Sequence, residues 1–123
     1  MSDTSRNTFI NWLRQRHDLV LDEECQAKAA LAEGDQAAYG QHMRRKAELL
    51  TTMAEDAREA LAALPESQAT PIARKLKSFS QSAAYGLKLN SLFYMSALLY
   101  RDDHKEGEPD NLLVYLQELE GKK

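Results

Sequence analysis

Residues 43–64, MRRKAELLTTMAEDAREALAAL, decide the fold of this 123-residue chain. Their apolar side chains follow one another at alternating spacings of four and three, a period that places them on one face of an α-helix. Such a face resembles the seam of a coiled coil, and its three alanines allow a neighbouring helix to approach closely. The seam consists of Met43, Ala47, Leu50, Ala54, Ala57, Leu61 and Leu64.

Turn signals on both sides of this seam set the number of helices. Gly34 favours the left-handed conformation that ends a helix, and Asp35 is a good cap for the next one. A joint this short requires antiparallel helices. Pro65 ends the seam helix, and Thr70-Pro71 predicts the start of another. We therefore predict an all-α, antiparallel helical bundle in one domain, residues 1–123, with three long helices at about 4–33, 36–64 and 71–101 and a short C-terminal helix at about 110–119.

The composition agrees with a helical protein that stays in the cytoplasm. Hydrophobic residues make up 43% of the chain, which is enough for a core, and the alternating pattern of β-strands is absent. The longest nearly apolar run, residues 92–100, is far shorter than the roughly 20 residues that span a bilayer. Cys25 is the single cysteine, and the first residues lack the apolar core of a signal peptide.

The predicted third helix repeats the spacing of four and three. We interpret Gly86 as a point of close helix packing and Asn90 as a polar contact that fixes the register. Contact with a ligand or partner is the alternative for both. The seam consists of Ile72, Leu76, Phe79, Ala83, Gly86, Asn90, Phe93, Ala97 and Tyr100.

The same helix carries more apolar side chains than one buried face requires. Over residues 87–100 they surround most of the helix, so they need cover on several sides. The final helix is one cover, and a second copy of the chain or an amphipathic helix of a partner protein is another. Cover by a partner helix predicts a protein-binding bundle, a chaperone or adaptor, that binds an apolar helix. The expected contact residues are Tyr85, Leu89, Leu92, Tyr94, Met95, Leu98 and Leu99.

Charge is distributed unevenly along the chain. Residues 67–101 contain no acidic residue, whereas the two preceding helices carry more acidic than basic residues. The basic residues either complement those helices within the molecule or form a surface for an acidic partner or a phosphate backbone. The last option defines an alternative function, a small subunit associated with nucleic acid. The expected contacts are Arg74, Lys75, Lys77, Lys88 and Arg101.

The titratable residues form no recognisable catalytic or metal-binding motif. None of His17, His42 and His104 has a glutamate three residues before it, so the di-iron bundle motif is missing. Paired cysteines, a phosphate-binding glycine loop and a nucleophile elbow are also missing. We expect His17 to be a core histidine with a hydrogen-bond partner. The resulting prediction is a non-enzymatic protein with no metal and no cofactor.

The first hairpin resembles the flagellar export chaperones of the FlgN type. Residues 24–35, ECQAKAALAEGD, are similar to the motif that ends a helix in that family. Residues 46–50, KAELL, are similar to a motif in the family's next helix. Asn90 is similar to an asparagine in the family's third helix. The resemblance implies a small cytoplasmic bacterial bundle that keeps flagellar subunits soluble by binding their amphipathic C-terminal helices. The charged linker 102–110 and the helix after Pro109 depart from the family pattern.

Overall fold

The computed structural model describes residues 2–121, and their side chains from Thr4 onward. This part of the chain has seven helices and no strand, which confirms the predicted all-α class. The helices are α1 (Ser2–Ala32), α2 (Gln36–Thr51), α3 (Met53–Asp56), α4 (Arg58–Ala62), α5 (Glu66–Leu89), α6 (Leu92–Ala97) and α7 (Asn111–Gly121).

The joint between α1 and α2 is the predicted one. Gly34 has a φ of +78°, a conformation that glycine adopts without steric cost. The Asp35 side chain caps α2 by accepting a hydrogen bond of 3.0 Å from the amide of Ala38. The two helices then pack along each other as an αα-hairpin.

The predicted helix 36–64 is present as three consecutive pieces, α2, α3 and α4. Its path continues because Thr52 and Ala57, the residues between the pieces, keep right-handed helical dihedral angles. The Ser80 hydroxyl of α5 inserts into the helix near the first break. It accepts from the amide of Ala54 at 3.1 Å and donates to the carbonyl of Leu50 at 2.7 Å. A side chain that enters the backbone ladder in this way is a known cause of helix distortion.

The seam of residues 43–64 forms the centre of the core. Its side chains face α1 and α5, and all of them are buried except Ala54, which is half-buried. The coiled-coil-like spacing therefore identified the buried face correctly. The core continues into α7 through Leu112, Leu116 and Leu119.

The predicted start of the third helix is wrong by five residues. Helix α5 begins at Glu66, because the carbonyl of Pro65 accepts hydrogen bonds of 2.9 Å from the amides of Gln68 and Ala69. Pro71 consequently lies inside α5 and not at its first position. A proline there leaves the carbonyl four residues earlier without its helical partner.

The predicted end of the third helix, Arg101, is also wrong. Helix α5 stops at Leu89, because Asn90 adopts the left-handed conformation with a φ of 51°. Asparagine tolerates this conformation better than most residues. Ser91 then caps α6, its hydroxyl accepting from the amide of Tyr94 at 3.1 Å. Asn90 is exposed and accepts a hydrogen bond of 3.1 Å from Arg44, so the predicted register contact on a buried seam is not found.

Gly86 is a point of close packing, as predicted. Its neighbour is the ring of Tyr94 on α6, which lies against the glycine and makes an edge contact with Tyr85 at 5.5 Å between ring centroids. A Cβ atom at position 86 would lie 2.8 Å from Cδ1 of Tyr94. The missing side chain therefore lets α6 fold back onto α5.

Gly86→Ala is expected to lower the free energy of unfolding by about 1 kcal/mol, since a clash of about 1–3 kcal/mol outweighs the better helix propensity of alanine. In a Tyr94→Ala background the ring is gone, and the same change should raise stability by up to about 1 kcal/mol. Urea denaturation of the four proteins measures both effects. Equal effects in the two backgrounds would show that the ring contact is irrelevant.

Candidate protein-binding surface

The structure divides the seven residues predicted to bind a partner. Met95, Leu98 and Leu99 are buried within the chain, with exposures of 0%, 7% and 6%, so they do not form the exposed surface that the prediction requires. Leu92 and Tyr94 are half-buried against the rest of the bundle. Tyr85 and Leu89 are exposed, at 52% and 51%.

The turn at residues 90–91 is the physical reason for this division. A continuous helix would place Phe93 on the buried seam, but the turn reorients α6. Met95 consequently enters the core, while Phe93 points outward with 84% of its surface exposed. Much of the apolar excess expected of residues 87–100 is therefore covered within the chain, and Phe93 is an exception that the spacing did not predict.

Tyr85, Leu89 and Phe93 together are termed the α5–α6 ridge. Tyr85 and Leu89 are four residues apart and lie on the same face of α5. That face is opposite the core, which contacts Ile72, Leu76, Ala83 and Gly86 of the same helix. Phe93 follows directly after the turn that ends α5. All three side chains are exposed within nine residues of chain, and a contiguous exposed apolar patch is typical of an interaction surface.

The five predicted basic contacts also fall into two groups. Lys75 lies over the rings of Phe79 and Tyr115, at 5.5 and 5.7 Å from their centroids. Arg101 pairs with Asp103 at 3.3 Å. The other three, Arg74, Lys77 and Lys88, are exposed on α5 and form no ion pair with any residue of the described chain.

A buried polar cluster, which the sequence did not predict, joins α1 and α2 to residues 96–100. Lys46 of α2 is fully buried, and its Nζ donates to the carbonyls of Ser96 and Leu98 at 3.2 and 3.0 Å. The same Nζ lies 2.8 Å from a Glu24 oxygen, which is ion-pair distance although the angle is not that of a hydrogen bond. The Tyr100 hydroxyl donates to the other Glu24 oxygen at 2.8 Å. Lys46 thus anchors the end of α6 to the first hairpin.

Burial and the Glu24 charge have opposite effects on the pKa of Lys46 and the same effect on the pKa of Tyr100. Burial lowers the pKa of the Lys46 ammonium below its ordinary value, while the Glu24 carboxylate favours the charged form. Burial also raises the pKa of the Tyr100 hydroxyl, and Glu24 raises it further. The hydroxyl therefore remains protonated at neutral pH. The contacts of Lys46 hold the end of α6 against the first hairpin.

A second buried pair fixes the start of α7. His17 has the predicted hydrogen-bond partner, since its Nε2 lies 2.8 Å from Oδ2 of Asp110. The other oxygen of Asp110 accepts from the amide of Leu113 at 2.8 Å. Burial alone would raise the pKa of Asp110, but the hydrogen bonds from His17 and the helix amides outweigh it and lower the value.

A cleft of about 460 Å³ lies between α5, the end of α6 and α7. Its lining includes Lys75, Tyr115, Leu98 and Leu99. Burial, with help from Glu118, raises the pKa of Tyr115 to about 12, so the hydroxyl stays neutral at physiological pH. Within residues 2–121, His, Cys, Asp and Glu side chains form no group of three that could hold a metal ion.

Within residues 2–121 no helix is both long enough and apolar enough to cross a lipid bilayer.

Comparison with protein-family models, with curated proteins and with solved structures gave no match for this chain. The resemblance to flagellar export chaperones therefore stays a prediction from the sequence.

Proposed function

We propose that this chain is a non-enzymatic, cytoplasmic, chaperone- or adaptor-like protein that binds an amphipathic helix of a partner protein through the α5–α6 ridge. The observation that carries the proposal is the exposure of Phe93, 84%, next to a helix end where Leu89 and Tyr85 are half-exposed. Aromatic residues are enriched at the centres of protein interfaces. A helix with an apolar stripe matches such a ridge through side chains three and four residues apart.

The flagellar resemblance supports a specific version of this proposal. The α1–α2 hairpin, with Gly34-Asp35 at its joint, is the part of the chain that carries the resemblance. In this version the partner is an exported subunit with an amphipathic terminal helix. The ridge lies outside that hairpin, so the general proposal does not depend on the resemblance.

Phe93→Asp is expected to weaken partner binding at least tenfold, because a buried interface aromatic typically contributes about 2 kcal/mol or more. The fold should survive, since the side chain makes little contact with the core. Co-purification of a tagged chain, followed by quantitative binding to the captured protein, measures the effect. Circular dichroism confirms that the variant is still helical.

Leu19→Asp is the matched control, because Leu19 is an exposed apolar residue, at 52%, on α1 and outside the ridge. It should leave partner binding unchanged. Sedimentation of each protein shows whether a second copy of the chain occupies the ridge. If the wild type is a dimer and Phe93→Asp is a monomer, the occupant is a second copy and not a different protein. Equal binding by wild type and Phe93→Asp would refute the role of the ridge.

A further inference from the structure

The outer face of α5 combines the ridge with basic side chains. At about 100° per residue, Arg74 and Lys88 project within about 60° of Tyr85, and Lys77 within about 80°. The core residue Leu76 projects on the opposite side. Because α5 rises about 1.5 Å per residue, this outer face extends about 22 Å from Arg74 to Leu89. That length accommodates about four turns of a partner helix.

Arg74, Lys77 and Lys88 of this face form no ion pair with the side chains that the structure describes. Two acidic side chains of α1 pair with α2: Glu24 with Lys46 and Glu23 with His42. Asp56 pairs with Arg16 at 2.8 Å. Among the residues described, α5 itself has one acidic residue, Glu66, at its first position. The interpretation that α5 complements the acidic hairpin is therefore not supported by the ion pairs.

We propose, on the basis of the proposed function, that the partner helix carries acidic residues beside its apolar stripe and lies along the outer face of α5. Its apolar residues contact the ridge, and its carboxylates face Arg74, Lys77 and Lys88. Charges at the edge of an interface act mainly on the association rate and on the choice of partner. A duplex phosphate backbone fits less well, because three separated basic residues beside large apolar side chains make a sparse phosphate site.

The probes for this proposal are two synthetic helical peptides of about 18 residues with identical leucine and phenylalanine stripes. One peptide has glutamates beside the stripe, and the other has lysines. Fluorescence anisotropy at about 50 mM salt should show at least tenfold tighter binding of the glutamate peptide. At about 500 mM salt the difference between the peptides should become small, because exposed charges are then screened.

Charge reversal on the protein provides the matched variants. The double variant Lys77→Glu/Lys88→Glu should abolish or reverse the preference for the glutamate peptide. Lys28→Glu, at an exposed residue of α1 without an ion pair in the described chain, should preserve the preference. Both proteins should remain helical, since the substituted side chains face solvent.

The outcomes separate this inference from the function on which it rests. If Phe93→Asp weakens both peptides but the glutamate and lysine peptides bind alike, the ridge binds helices and the acidic partner is refuted. If Phe93→Asp has no effect on either peptide, the proposed function itself fails. If neither peptide binds and duplex DNA binds with a steep loss in salt, both proposals are overturned in favour of a nucleic-acid partner.

Discussion

Lys46→Met is expected to lower the free energy of unfolding by about 3–5 kcal/mol, since breaking a buried ion pair leaves an uncompensated charge. Lys46 is fully buried, and methionine of similar length cannot donate to the carbonyls of Ser96 and Leu98. The Glu24 carboxylate would keep only the hydroxyl of Tyr100 as a partner. Urea denaturation at neutral pH measures the loss.

A second substitution tests whether the ion pair causes this loss. Lys46→Met/Glu24→Gln removes both charges, and it should be more stable than Lys46→Met because no unpaired charge remains. Arg45→Met, at the exposed neighbouring position, should change stability by no more than about 0.5 kcal/mol. A double variant no more stable than Lys46→Met would show that the loss comes from packing or the carbonyl contacts.

Leu116→Ala is expected to lower the free energy of unfolding by about 3 kcal/mol, the usual size for a leucine removed from a core. Leu116 is fully buried on α7, which packs against α1. A helix of 11 residues is marginal on its own, so α7 depends on this packing. Amide hydrogen exchange should show faster exchange throughout α7 than in α2.

Val114→Ala is the control for this prediction, because Val114 is on the same helix but 39% exposed. Its effect should remain within about 0.5 kcal/mol. A Leu116→Ala variant with unchanged exchange in α7 would mean that polar contacts alone hold the helix. Those contacts are the buried His17–Asp110 pair, the hydrogen bond of 2.6 Å from Arg6 to the carbonyl of Leu119, and the Arg14–Glu120 ion pair.

The first half of the fold was predictable because its signals are local. Gly34 and Asp35 specify a helix end and a helix start within two residues, and the structure uses both. The seam of residues 43–64 was predictable because a run of apolar residues at one period has one buried face. Tertiary distortion by Ser80 changed the hydrogen bonding of this helix but not its direction.

The end of the third helix was not predictable from periodicity. Asn90 occupies a position that continues the spacing of four and three, so the pattern passes through the turn without a visible break. The local chemistry was more informative: Asn90 tolerates left-handed dihedral angles, and Ser91 is a good helix cap. This error also placed Phe93 on a buried face, although it is the most exposed large apolar residue of the described chain.

The buried cluster was missed because a lysine is assumed to face solvent. The position of Lys46 nevertheless carried a signal. Met43, Lys46, Leu50 and Met53 also follow alternating spacings of three and four, which places Lys46 among residues that are all buried. Its partners Glu24 and Tyr100 are 22 and 54 residues away, so they could be identified only after the chain had folded.

The packing of α7 against α1 constrains the order in which the chain assembles. The contacts that join them link residues 93 and 113 positions apart, whereas α1 and α2 are connected by a three-residue joint. Closing a long loop costs more entropy than closing a short one. During synthesis from the N-terminus the first hairpin forms early. The apolar side chains of α1 that pack against α7 remain exposed to solvent until residues 110–121 have been synthesised. The nascent chain therefore exposes, during most of its synthesis, an apolar surface that is prone to aggregate and that the folded protein buries.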